Sequence, residues 1–424
     1  MSHPLPRRAH QALVRLFAEL QRRRSGGELV VGHHNRNHIL PLGQPLAYLL
    51  GMDSGQIHAK FRVPVETVEV VPRLWPEAEV LHAVSSRVGE VPRCLADFGA
   101  WSVQAYLTGR ALAEETPKGP IGSSRVSALA EFFARLVAVP CEVLPQIPAD
   151  WPSNGNSTGF LHRLAHFTEE RVYRANRPRF GQLFDALGVP CDAVPRFLRF
   201  WPELTPRPFA LLHTDVHRAN VVVTSLNESE QLAVIDWELA LYGDPLHDLA
   251  THLVRMRYDE TEHDLMVELW AEAMAKAGRA DVTEGMGRDL RGYLDFEYVQ
   301  SVFPDVMRAA LALPHTPEAT DFLHAAGRVC DALRRAWEPL RLPGEPIDES
   351  AAAEALYRWY EEDGVGGRNT SGRLFARPGG RSVGRWCESA DQPRETSRRL
   401  RRVREREAAV EIEELLEGLE RHGC

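Results

Sequence analysis

Nowhere do two cysteines stand at Cys-x-x-Cys spacing: Cys94, Cys141, Cys191, Cys330, Cys387 and Cys424 are scattered through 424 residues. That pattern excludes a dense disulfide framework and a cysteine-built zinc site, and it fits reduced thiols. No apolar run approaches the ~20 residues that a bilayer-spanning helix needs, so no membrane partner is expected. Basic excess is missing too: 50 Lys and Arg against 59 Asp and Glu leave a net charge of -9 at pH 7, which argues against a nucleic-acid partner. The N-terminus carries no secretory apolar segment, and there is no internal repeat. These absences point to a cytoplasmic, globular chain, and an apolar content of 44% agrees with that. The length exceeds what one ordinary core organises, so at least two lobes are expected.

The pattern of residues divides the chain. Residues 1–27 read as an N-terminal helix with Leu13, Leu16, Phe17 and Leu20 on one face. A presequence or an interfacial helix can look like this, but a docked helix is the simpler reading. Residues 28–109 read as a β-rich lobe. In it "ELVVGHHNRNHILPL" forms two strands around a polar turn, "QIHAKFRV" and "VEVVPRLW" add strands, and "PEAEVLHAV" is a helix. A short hairpin follows in "VPRCLADFG" and "AWSVQAYLTG". Residues 110–343 switch to helical period, interrupted by one β island from Phe209 to Leu241. Residues 344–393 read as a disordered linker and 394–424 as a charged tail with a thin helical stripe. The expected fold class is therefore α+β, a small sheet lobe before a larger helical lobe with an internal hairpin.

Chemistry concentrates in that β island. "LLHTDVHRANVVV" sets His213, Asp215, His217, Arg218 and Asn220 between apolar runs, and "LAVIDW" returns to end at Asp236. A hairpin brings the loop 213–219 and Asp236 to one end, so Asp215, Asn220 and Asp236 converge. Hard oxygen donors of this kind suit Mg²⁺, usually held by one or two protein ligands plus phosphate oxygens and water. Phosphoryl transfer is mostly positioning and charge neutralisation. In such a site Asp215 accepts a proton from an attacking hydroxyl while Asn220 and Asp236 hold the metal.

The ordered segments His213-Thr-Asp215-Val-His217-Arg-Ala-Asn220, Asp236-Trp237-Glu238 and Gly243-Asp244-Pro245-Leu-His-Asp248 resemble the aminoglycoside phosphotransferase and choline-kinase-like family. That family is the small-molecule branch of the protein-kinase-like fold. The resemblance spans about residues 28–342 and is strongest over 209–256. It implies ATP or GTP with Mg²⁺, a small-molecule hydroxyl acceptor, Asp215 as base, His213 and Asp248 as loop supports, and Asn220 and Asp236 as metal ligands. By the same resemblance the turn holding Gly32 and Asn35 covers the phosphates, although it has one glycine where looser members have two or more. Arg73, paired with Glu77, takes the place of a strand lysine, with Lys60 or Arg62 as alternatives. Main-chain groups around Gln104 and Tyr106 meet the base, and His217 lies on the substrate side. Asp295, Glu297 and Asp305 would line a site for a cationic acceptor. Arg218 reads as solvated.

Two rival readings arise from the same residues. One is a metal-dependent phosphohydrolase using His213, Asp215, His217, His247 and Asp248, an imidazole-rich set that favours zinc, iron or manganese. The other is a non-catalytic nucleotide-binding scaffold, for which Arg73 and the glycine-poor turn are the arguments.

Overall fold

A computed structural model describes residues 7–23, 28–31, 35–52, 58–64, 69–89, 91–226 and 229–367. Gly32 and the tail 394–424 lie outside the described residues. The chain forms two compact units, one containing Met1–Arg24 and Gly43–Ser54, the other running through Ser25–Leu42 and Gly55–Arg373. In the first unit α1 (Arg7–Arg22) packs on α2 (Gln44–Leu49), and the Gly43 amide donates to Gln21 Oε1 at 3.1 Å. The buried stripe of α1 is Val14, Ala18 and Gln21, and Leu20 is exposed. The apolar face is thus one position off the one expected. Among the described residues no helix is long and apolar enough to cross a membrane.

The second unit is α+β and two-lobed. Its small lobe is an antiparallel sheet in the order β1-β2-β3-β5-β4, built from β1 (Glu28–Val31), β2 (Asn35–Pro41), β3 (His58–Pro64), β4 (Cys94–Asp97) and β5 (Ser102–Ala105). Strand β3 alternates: Ala59 and Phe61 are fully buried, with Phe61 against Trp101 at 6.3 Å, and Lys60 and Arg62 share the other face. Helix α3 (Glu77–Val84) lies against the sheet. "VEVVPRLW" does not pair, correcting the expectation of a strand there: its described part, from residue 69, makes no ladder. Pro72 lacks the N–H that a ladder requires.

The larger lobe opens with β6 (Arg110–Ala111) and α4 (Leu112–Glu115), then α5 (Ser123–Val137), α6 (Ser157–Phe167), α7 (Ala175–Ala186) and α8 (Ala193–Phe200). Gly109 permits the entry: a Cβ there would stand 2.3 Å from the Val223 carbonyl oxygen. The β island follows as β7 (Ala210–Leu212), β8 (Val221–Leu226), β9 (Ser229–Val234) and β10 (Leu241–Gly243). Strands β8 and β9 pair antiparallel with Val221 opposite Val234, and β7 pairs with β10. Helices α9 (Pro245–Met256), α10 (Glu260–Lys276), α11 (Met286–Leu311) and α12 (Ala319–Trp337) follow, and α5 and α9 pack against β7.

The expected linker is corrected at its start. Glu349–Gly367 forms a helix, α13, which buries Ala352, Ala355, Leu356 and Trp359 on one face. Trp359 stacks on Phe180 at 5.3 Å and donates to the Arg179 carbonyl at 3.0 Å. Spacing i, i+3, i+4, i+7 marks these residues as one helical stripe, a signal hidden by the Gly- and Arg-rich stretch beyond.

One buried ionic network holds α9 in place. Asp244 caps its N-terminus by accepting from the Leu246 amide at 3.1 Å. The same carboxylate takes Arg207 at 2.6 Å and the Tyr293 hydroxyl at 2.9 Å, and Arg207 also reaches Asp289 at 2.7 Å. Arg207, Asp244 and Asp289 are all fully buried. Removing one partner of such a set strands the other charge. Arg207→Ala is therefore expected to destabilise the protein by about 3–5 kcal/mol, measured as a lowered urea midpoint; an unchanged midpoint would refute the role given to this network.

Candidate active site

The loop 213–219 runs between β7 and β8, and its shape is imposed from α9. Asp248 accepts the His213 amide at 2.8 Å on one oxygen and the Thr214 amide at 2.7 Å on the other. Thr214 has φ 61°, a left-handed conformation that a β-branched residue resists. The Thr214 hydroxyl, donating to the Leu239 carbonyl at 2.7 Å, helps hold it there. Burial pushes the Asp248 carboxyl up to about 7, and the two amide bonds oppose that shift. His213 is fully buried against Trp237, with ring centroids 4.7 Å apart, and burial lowers its imidazole to about 4. Its Nδ1 accepts the Asp215 amide at 3.2 Å. His213 and Asp248 thus sit as parts of the loop's frame.

The sequence places three polar groups at one end of the hairpin, and the structure brings them together. Asn220 Nδ2 donates to both the Asp215 carbonyl, at 3.0 Å, and its carboxylate, at 2.9 Å. The Ile235 amide donates to the Asn220 carbonyl at 2.9 Å, so Asp236 begins one residue from that bond. Asp236 itself has φ 73°, which Asp tolerates better than most residues and which turns the chain sharply at the end of β9. Burial disfavours its charge, but Arg62 and Lys60 hold the carboxyl below its usual range.

Arg62, not Arg73, pairs with Glu77. The Arg62 guanidinium meets Glu77 at 2.6 Å and Glu238 at 3.4 Å, and it donates to Asp236. Glu77 also receives Gln104 Nε2 at 2.9 Å and the Trp237 amide at 3.0 Å, so α3, β5 and the Asp-Trp-Glu turn meet on one carboxylate. Arg73 lies outside any strand, 3.5 Å from Glu238. There it lines, with Trp75, Trp101 and Glu238, a cavity of about 370 Å³ on the α3 side of the network. The Gln104 side chain is buried on Glu77, and past the end of β5 the Tyr106 amide donates to the His58 carbonyl at 3.2 Å. Asn35 begins β2, paired with Pro64.

Sequence reasoning missed Arg255, the penultimate residue of α9. It donates to Asp215, and its other nitrogen lies 3.8 Å from Glu297. Burial works against the charge of Asp215, but Arg255 and His217 hold its carboxyl far below the usual range. His217 Nε2 stands 3.6 Å from Asp215. The remaining acidic candidates part company. Glu297 is buried near Arg255 and accepts from Gln300 at 2.9 Å. Asp295 accepts from Arg291 at 2.6 Å and from the Trp201 indole at 3.3 Å. Asp305 lies between Arg308 and Arg335, each at 3.6 Å. Arg218, expected in solvent, is buried and donates to the carbonyls of Met256, Thr116 and Gly119.

The imidazole-rich metal centre is not assembled. Among the described residues no three His, Cys, Asp or Glu side chains gather to hold a metal. Asp248 spends both oxygens on amides, and His247 is buried among Phe160, Tyr293 and Phe296. A magnesium–nucleotide fits better. Asn220 and Asp236 offer hard oxygens, and Arg62 Nη1 is buried with no partner among the described residues, a donor suited to a phosphate oxygen.

A family model described as the phosphotransferase enzyme family matches residues 45–282. No curated protein matches the sequence. Among solved structures, an ethanolamine kinase from Plasmodium vivax is similar at 13% identity, covering 72% of this chain and 81% of its own, with a TM-score of 0.46. A macrolide 2'-phosphotransferase from Brachybacterium faecium is similar at 17% identity, covering 79% and 99%, with a TM-score of 0.44. A choline/ethanolamine kinase family protein from Mesorhizobium loti stands at 15% identity, 83% and 99% coverage, and a TM-score of 0.44.

Asp248→Asn removes one of the two acceptors and faces an amide donor with another donor. Stranding a buried N–H costs about 1–3 kcal/mol, so the thermal midpoint is expected to fall; a midpoint equal to wild type would show that the loop does not depend on this carboxylate.

Proposed function

The chain belongs to the phosphotransferase enzyme family and is a small-molecule kinase, and on that premise we propose that it moves the γ-phosphate of ATP or GTP to a hydroxyl with Asp215 as the base. The observation that carries this reading is the direct contact of Asp215 with Asn220, within one hairpin end of Asp236. In this arrangement the acceptor hydroxyl donates to Asp215, which keeps its charge because Arg255 stands against it. The hydroxyl oxygen bonds to phosphorus as the bond to the leaving nucleoside diphosphate breaks, and the proton passes to Asp215. Asn220 has two tasks: its amide nitrogen fixes Asp215, and its amide oxygen is the metal-side donor with Asp236. Magnesium, held there by Asn220 and Asp236, would supply neutralisation of the charge that develops on the transferring phosphate. Arg62, held in place by Glu77, Asp236 and Glu238, offers its remaining nitrogen, Nη1, to a phosphate oxygen. His217 orients Asp215 from the side opposite Asn220.

Asp215→Asn keeps the shape of the side chain and removes the base. Phosphoryl transfer is expected to fall on the order of 10²–10⁴-fold with nucleotide affinity retained, as read by single-turnover kinetics beside calorimetric titration. In the same assay Asp236→Ala and Arg62→Met weaken binding of the magnesium–nucleotide, whereas Arg73→Met leaves it near wild type. Near-normal turnover in Asp215→Asn would remove Asp215 from the role.

Arg255 depresses the Asp215 carboxyl, whereas burial alone raises it. Replacing Arg255 with Met therefore raises that pKa, and the base is protonated at a higher pH. The acidic limb of kcat/KM is expected to move upward in pH in Arg255→Met, followed from pH 4 to pH 8; an unmoved limb would mean that Arg255 does not set the ionisation of the base.

A further inference from the structure

Beyond the reacting atoms, the side of Asp215 that faces the C-terminal end of α9 is basic. Arg255 and Arg257 end that helix, with Arg257 exposed in a left-handed conformation at φ 53°. Helix α11 packs against α9 and carries Glu297, Asp305 and Arg308 at a spacing that places them along one face. Arg335 on α12 closes the patch. Arg308 lies within electrostatic range of Asp215 and of Arg255, and Asp305 within range of Arg255 and Arg257. Four guanidiniums thus meet the carboxylates of Glu297, Asp305 and Asp215. Asp248, also in range of Arg255, is buried beneath the catalytic loop with both oxygens on amides.

Apart from the close contact of Arg255 with Asp215, these pairs are loose. Arg308 and Arg335 stand 3.6 Å from Asp305, and Arg255 stands 3.8 Å from Glu297. Such distances lie beyond a hydrogen bond, whereas the buried structural pair Arg207–Asp244 closes to 2.6 Å. Arg335 Nε is in addition buried with no partner among the described residues. The carboxylates that a cationic acceptor would need are already engaged: Asp295 by Arg291 and Trp201, and Glu297 by Gln300. An amine brought here would meet more positive charge than negative, while an anion would meet donors that lack close partners.

Resting on the phosphotransferase reading above, we propose that the acceptor is an anionic hydroxyl compound whose charged group is received by Arg308, Arg335 and Arg257 while its hydroxyl reaches Asp215. The charged group is a carboxylate or a phosphate monoester. The hydroxyl oxygen forms the bond to γ-phosphorus, the bond from that phosphorus to the bridging oxygen breaks, the nucleoside diphosphate leaves, and Asp215 keeps the proton.

Full-length protein with ATP and Mg²⁺ is assayed for transfer to glycerate, glycerol 3-phosphate, ethanolamine and an aminoglycoside. Binding of each is titrated calorimetrically in the presence of a non-hydrolysable nucleotide analogue. Glycerate or glycerol 3-phosphate is expected to accept phosphate in preference to both amines, and the better of the two identifies the anion. Arg308→Glu, and separately the exposed Arg257→Glu, are expected to raise the KM and Kd for that anion about tenfold or more without changing the KM for ATP. Preference for the amines, affinity for neither class, or anion affinity unchanged in both variants would overturn the proposal. Anion binding that depends on Arg308 without transfer to any acceptor would leave the anion site standing and remove the phosphotransferase reading instead.

Discussion

Both oxygens of the Asp248 carboxylate are spent on consecutive amides of the loop 213–219, and the positions of Asp215 and Asn220 depend on that contact. Thr214 is held left-handed, which a free loop would not choose. Because its backbone turns there, Asp215 projects toward Asn220 instead of continuing the line of β7. The loop inherits its rigidity from α9, and α9 inherits its own from the Arg207–Asp244–Asp289 network beneath its N-terminus. A short polar stretch between two strands is thereby tied, through one helix, to a fully buried set of charges.

Charge around the site is organised in two groups. At one end, Arg62 gathers Glu77, Asp236 and Glu238, drawing strand, helix and turn together. At the other, Arg255 stands against Asp215, and further guanidiniums flank it with only loose partners. Buried guanidinium–carboxylate contacts of this kind contribute more to geometry than to net stability, since desolvation offsets most of their attraction. Each is therefore best understood as a device for aiming a functional group.

The element order was legible because hydrophobic period separates strand from helix: the paired strands β1 and β2, the strands β8 and β9 and the long helices all track their apolar spacing. The strand expected at "VEVVPRLW" makes no ladder over its described part, and Pro72 within it, with Pro76 just after it, already argued against one there. Residues Ala352, Ala355, Leu356 and Trp359 held a readable helical stripe, obscured by the glycine- and arginine-rich composition of the chain beyond Gly364. Arg255 carried no local signal. It is one arginine near a helix C-terminus, where cations are common for reasons unrelated to catalysis.

By itself the sequence determined the trio Asp215, Asn220 and Asp236, because short spacing and a single hairpin bring these groups together whatever surrounds them. It also determined Asp244 and Asp248, four residues apart on one helix. Only the tertiary structure decided which cation meets Glu77, since Arg62 and Glu77 belong to separate elements that meet through packing. It likewise turned Asp295 toward Trp201 and Arg255 toward Asp215. Local geometry is written in neighbouring residues, while partnerships between distant charges depend on how whole elements pack, and no spacing along the chain records that.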